Sequence, residues 1–207
     1  MGKAVIWDLD GTLFDSYDVI VDSIQLTFAE FGIQVSKEEI HRHAICFSIS
    51  SLFAEYAQRH YMDVELLKAR YSEISGGKYM DIKVMKNGRE VLQALADKGI
   101  VNYIFTHRGK TTVPVLNNLE LTPFFREIIT SQNGFARKPA PEGLLYLIEK
   151  YDLDLTHTYY VGDRSLDMEC ARNAGIPGIL FMPEGSFDVS GAETYRVKDL
   201  LAILDII

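Results

Sequence analysis

Cysteine is scarce in this 207-residue sequence, with Cys46 and Cys170 the only two. They lie far apart and lack the close pairing of a zinc site, so they read as buried thiols of a reducing compartment rather than as a disulfide framework or a metal centre. Basic excess is missing as well: 21 Lys and Arg stand against 29 Asp and Glu, a net charge of −8. Phosphate backbones and anionic bilayers are held by basic surfaces, so neither a nucleic-acid nor a membrane partner is expected. No apolar run approaches the length of a membrane span. The first apolar run, residues 4–7, is too short for a signal peptide, and Ile6 stands where a myristoylation motif wants Ser or Thr, so a cytoplasmic location is expected. Internal repeats and low-complexity tracts are absent too.

What is present is 47% hydrophobic and 24% charged residues, the balance of a globular chain with one good-sized domain or a domain plus an insertion. Two textures follow one another. Residues 3–8 read as a short buried strand, and residues 16–79 are helical throughout. Gly32 would end a first helix over 17–31, Ser36 with Glu39 forms a capping box, and Asp63 is the N-cap candidate of a helix ending at Gly76-Gly77. After residue 86, helices alternate with short apolar strands near 100–106, 126–130, 158–162 and 176–181, a capping box at Asn87 and Glu90 opening the series. That alternation predicts an α/β fold, a Rossmann-like parallel sheet with helices on both faces, interrupted by an inserted α-helical cap. The expected division is a core of 1–15 and 84–207 and a cap of 16–83, with a hinge where the chain crosses twice, near 14–17 and 79–86. Trp7 is expected in the core.

Ligands of open parallel sheets sit at the carboxyl ends of the strands. Four such ends here carry polar residues: Asp8 and Asp10 in "DLDGT", Thr106-His107-Arg108 in "FTHR", Lys138 in "RKPAPEG", and Asp163 and Asp167 in "GDRSLD". Asp8 and Asp10 would point the same way, about 7 Å apart along a continued strand. Asp163 and Asp167, four apart, would stack on one helical face. Four carboxylates in one crevice repel strongly, since two charges about 4 Å apart cost about 4 kcal/mol at an effective dielectric of about 20. A divalent cation with oxygen ligands offsets that, and Lys138 adds a fixed positive charge.

These four motifs, in this order, resemble the haloacid dehalogenase superfamily of phosphohydrolases over essentially the whole chain, and within it the phosphoglycolate phosphatase and β-phosphoglucomutase branch. The resemblance implies that Asp8 attacks phosphorus to form an aspartyl-phosphate, while Asp10 protonates the leaving oxygen and then deprotonates water. It implies that Thr106 and Lys138 act in catalysis and hold the phosphoryl group, with His107 and Arg108 as further substrate-binding positions. Mg²⁺ would be bound by Asp8, the backbone carbonyl of Asp10 and Asp163, with Asp167 direct or through water. Many members carry Asn where this chain has His107.

The function so implied is a Mg²⁺-dependent phosphatase acting on a small phosphorylated metabolite, phosphoglycolate-like or a sugar phosphate, under a cap that closes during the reaction. A phosphomutase would use the same intermediate, but the stretch 45–53 offers no cation to grip a second phosphate. A dehalogenase would do without the metal and the second Asp, and a phosphonate-cleaving enzyme would need a marked lysine in the cap. The rival of another class is a phospho-Asp signalling module without turnover; it would be shorter and would lack both the helical insertion and the second Asp. Oligomeric state leaves no trace in the sequence.

Overall fold

The computed structural model describes residues 2–187 and 191–207. Strand β1 (Ala4–Trp7) and the two-residue β2 (Phe14–Asp15) come first, followed by helices α1 (Tyr17–Glu30), α2 (Lys37–Cys46), α3 (Ile49–Arg59) and α4 (Val64–Gly76). The chain then alternates through β3 (Lys83–Val84), α5 (Gly88–Asp97), β4 (Val101–Phe105), α6 (Thr112–Asn118), β5 (Phe125–Ile129), α7 (Glu142–Tyr151), β6 (Thr158–Gly162), α8 (Ser165–Ala174), β7 (Gly178–Phe181) and β8 (Tyr195–Val197). It divides into two compact units, Met1–Asp15 with Lys83–Ile207, and Ser16–Ile82.

Six strands of the first unit form one sheet in the order β5-β4-β1-β6-β7-β8, every neighbouring pair parallel. The expected parallel α/β core is therefore present. Strand β1 lies between β4 and β6 and is buried along its length, which is why it reads as an unbroken apolar run. Side chains alternate across it. Ala4 and Ile6 join Tyr103, Phe105, Leu144 and Leu147 in one cluster with residues of α7 and α8. Trp7, fully buried as expected, donates its indole N–H to Asn102 Oδ1 at 2.9 Å, so its polar edge is satisfied inside the core. The register sets Trp7 opposite both Ile104 and Val161, so the three strands run out together at one edge. β2 and β3 pair antiparallel, Phe14 with Val84 and Asp15 with Lys83, tying the two chain crossings to each other.

The second unit is helical and has its own core, with Ile24, Phe28, Ile40, Leu52, Phe53 and Leu67 fully or almost fully buried. Two of its helices start at the caps expected of them, Ser36 and Asp63, and α3 starts at Ser48, a cap not named from the sequence. Ser36 accepts from the Glu39 N–H, Ser48 from Ser51 and Asp63 from Glu65. Among the described residues no helix is long and apolar enough to cross a membrane.

Three local expectations are corrected. Asn87 makes no cap hydrogen bond. It sits at φ 63° and its amide instead donates to both carboxylate oxygens of Asp199, a charged acceptor 112 residues away. Strand β8 was not foreseen, because it is three residues long with only Val197 buried and carries no apolar run. Cys170 is buried, whereas Cys46, the last residue of α2, is exposed.

Candidate active site

The carboxyl edge of the sheet is built by loops that leave each strand sharply. After Trp7 the Asp8 N–H still donates to Val161 O, so Asp8 continues the ladder and holds its side chain at the edge. The next residues wind around Leu9, whose carbonyl accepts from the N–H groups of Thr12, Leu13 and Phe14. That turn takes Gly11 to φ 79°, a left-handed conformation costly for any residue with a Cβ, which explains the glycine of "DLDGT". Strand β6 ends on Gly162, where an added Cβ would lie 2.5 Å from Asp167 Cβ and 2.7 Å from Asp167 Oδ2. The glycine thus leaves the room in which the Asp167 carboxylate lies across the strand end.

Asp8, Thr106, Lys138, Asp163 and Asp167 are all buried. The Lys138 ammonium bridges two carboxylates, with Nζ 2.6 Å from Asp8 Oδ1 and 2.8 Å from Asp167 Oδ1. It also lies 5.3 Å from the ring centres of both Phe105 and Tyr160. Tyr160 shares its hydroxyl proton between Phe105 O at 3.1 Å and Asp167 Oδ1 at 3.2 Å, and the other Asp167 oxygen accepts from the Arg164 N–H. Thr12 Oγ1 donates to Asp163 Oδ1 at 3.5 Å. The four strand ends therefore meet: the carboxylates of Asp8, Asp163 and Asp167 offer oxygens that all lie within 4.8 Å of one another.

The remaining expected residues stand around this group. The Asp10 carboxylate is not a member of that cluster; it accepts from Arg108 Nη1 at 2.7 Å. Thr106 Oγ1 accepts from the Arg108 N–H at 3.2 Å. His107 Nε2 accepts from the Lys138 N–H at 2.8 Å, so this ring meets the lysine's backbone.

Burial is the dominant electrostatic fact. It pushes the Asp8 carboxyl up to about 6, against the pull of Lys138, with Asp167 and Asp10 adding to the rise. For Lys138, burial alone would favour the neutral amine, but Asp167 and Asp8 outweigh it and hold the ammonium above its ordinary pKa. Hard oxygen donors, buried and converging, are the set that a divalent cation takes.

Phe105, Tyr160, Thr12 and Gly162 were not singled out from sequence. Tyr160 carried a usable signal: in a strand it shares a face with Gly162, two residues on, and so must lie under Asp167.

The profile of the haloacid dehalogenase-like hydrolase family matches residues 5–181 of this chain. A phosphoglycolate phosphatase of Agrobacterium fabrum is 30% identical over 190 residues, which span 86% of this chain and 80% of that protein. One from Aliivibrio fischeri is 26% identical over 184 residues, 84% of this chain and 81% of that protein. The crystal structure of a HAD-superfamily hydrolase from Geobacter sulfurreducens matches with a TM-score of 0.77 at 24% identity, covering 99% of this chain and 96% of that one, a likeness of fold.

Proposed function

This chain belongs to the haloacid dehalogenase-like hydrolase family and is a phosphatase of that type, and we propose that it hydrolyses a small phosphoglycolate-like metabolite through an aspartyl-phosphate on Asp8. The observation that carries the reading is the buried bridge from Lys138 to Asp8 and Asp167. A buried ammonium fixed beside a carboxylate restrains that carboxylate in one place and supplies positive charge where phosphoryl oxygens would gather.

In the first step an Asp8 oxygen attacks phosphorus while Asp10 gives a proton to the departing oxygen. In the second step Asp10 takes a proton from water, which attacks phosphorus and releases Asp8 and inorganic phosphate. Arg108 fixes where the Asp10 carboxyl stands, at 2.7 Å. Thr106 uses a lone pair on the Arg108 N–H, so its own O–H proton is the one to offer a phosphoryl oxygen.

The donor set fits Mg²⁺. Asp8 and Asp163 would hold it with the backbone carbonyl of Asp10; Asp167, whose oxygens already accept from Lys138, Tyr160 and Arg164, would serve directly or through water. When bound, such an ion orients nucleophile and phosphate and offsets their repulsion.

The test is phosphate release from a panel of phosphorylated two- and three-carbon acids and sugar phosphates, with Mg²⁺ and in chelator. Turnover of a member of the panel that vanishes in chelator is expected. No release from any, or full activity in chelator, would overturn the proposal, and a phosphorylated isomer in place of inorganic phosphate would make the enzyme a mutase.

A further inference from the structure

His107 holds a position for which the proposed chemistry needs no imidazole, yet its ring is committed to a single bond. Its Nε2 lies 2.8 Å from the backbone nitrogen of Lys138. A backbone amide carries its hydrogen permanently and can only donate, so Nε2 is the acceptor and is bare. A neutral imidazole with a bare Nε2 has its proton on Nδ1. Arg137 Nη2 stands 3.4 Å from that Nδ1. A guanidinium cannot accept a hydrogen bond, so this longer approach is a contact between two donors; the shorter bond decides the tautomer. The charges nearby point the same way. Burial, with the cations of Lys138 and Arg137 beside it, pushes the ring down to about 3, which keeps it neutral.

Each residue after β4 ties down a different part of the site. Thr106 accepts the Arg108 N–H, Arg108 holds the Asp10 carboxylate, and His107 holds the Lys138 backbone. Lys138 comes from another loop, 31 residues on in the chain. Its ammonium must reach two carboxylates at once, 2.6 and 2.8 Å away, beside two aromatic rings that are themselves 6.2 Å apart. A shift of the backbone from which that side chain springs would break one of these contacts.

We infer that His107 is a positioning residue: neutral and protonated on Nδ1, it accepts the Lys138 amide through Nε2 and so fixes where the loop presents the ammonium to Asp8 and Asp167. The effect on rate rests on the proposed role of Lys138, whereas the tautomer and the hydrogen bond do not.

Side-chain reach separates this role from mere filling of space. The amide oxygen of Gln extends about as far as Nε2, whereas that of Asn reaches only as far as Nδ1, and Leu has no acceptor. His107→Gln is expected to keep kcat/KM within about threefold of the parent, while His107→Asn and His107→Leu each lose about tenfold or more, as an orphaned buried N–H implies. Nitrogen NMR of the full chain labelled in its five histidines reads the tautomer without any turnover, the His107 signals being those missing in His107→Gln. A neutral ring protonated on Nδ1 is expected at neutral pH. A ring protonated on Nε2, or His107→Asn as active as His107→Gln, would overturn the inference. Were the enzyme to act on none of the tested phosphates, the NMR result would still decide it.

Discussion

The two units of this chain form ion pairs of nearly the same length with opposite meaning. In the helical unit Arg70 lies 2.6 Å from Glu30, and Lys37 2.6 Å from Asp22, all four side chains at least 40% exposed. In the sheet unit Lys138 lies 2.6 Å from Asp8, with side chains 2% and 9% exposed. Among the described residues, all the buried charged side chains belong to the sheet unit. Water screens the first kind and charges little for losing it, whereas the second has given up its hydration and must be neutralised from within. Proximity of opposite charges therefore says nothing about a site; proximity combined with burial at the carboxyl edge of a parallel sheet does.

The contrast can be broken most forcefully at Asp8. Asp8→Asn should keep the circular dichroism spectrum and lower the steady-state rate by about a thousandfold or more, as loss of a covalent nucleophile does. A rate within tenfold of the parent would remove Asp8 from the chemistry.

Lys138→Met comes next, because it strips the shared cation from two buried carboxylates at once. Denaturant unfolding should show a loss of roughly 3–5 kcal/mol, the range for a buried pair broken on one side, along with most of the activity. An unchanged midpoint would mean that Lys138 is not the neutralising charge.

A subtler test uses pH in protein stripped of metal by chelator. The folded pKa of Asp8, about 6, lies above the ordinary value of 3.8, so the folded chain binds this proton more tightly than the unfolded one. The group thus favours folding at low pH, and its contribution is lost as pH rises through about 6. Metal-free Asp8→Asn should therefore melt higher than the parent at pH values above that point, with the gain shrinking on acidification. A gain that does not vary with pH, or that grows toward acid, would contradict the burial argument.

The smallest effect is expected in the helical unit. Arg70→Ala removes two exposed ion pairs, to Glu30 and Glu73, and should leave both the melting temperature and the rate within experimental error. A clear loss of stability would blur the distinction between the two kinds of pair.

Much of this organisation is legible in the sequence. Strand and helix periods placed Asp8, Thr106 and Asp163 at strand ends and Lys138 in the loop that follows another, and a parallel sheet has one carboxyl edge at which such ends and loops must collect. Helix caps were legible too where the partner is three residues away, as at Ser36. Partners chosen across the fold were not. Asn87 looks like a cap in sequence but is claimed by Asp199, and the Lys138 amide is claimed by His107; no local spacing announces either. The aromatic walls around Lys138 were hidden for a related reason. Phe105 and Tyr160 fit the apolar pattern of their strands, and only the register of β4 and β6 against β1 sets them side by side next to the ammonium.

The covalent step can be caught directly by quenching the enzyme in acid during turnover of a good phosphate substrate, digesting it and weighing the peptides. A phosphoryl group should appear on the peptide that contains Asp8 and be missing when the same experiment is run with Asp8→Asn. Turnover that proceeds with that peptide never phosphorylated, or with the phosphoryl group on a different side chain, would contradict the assignment of Asp8 as nucleophile.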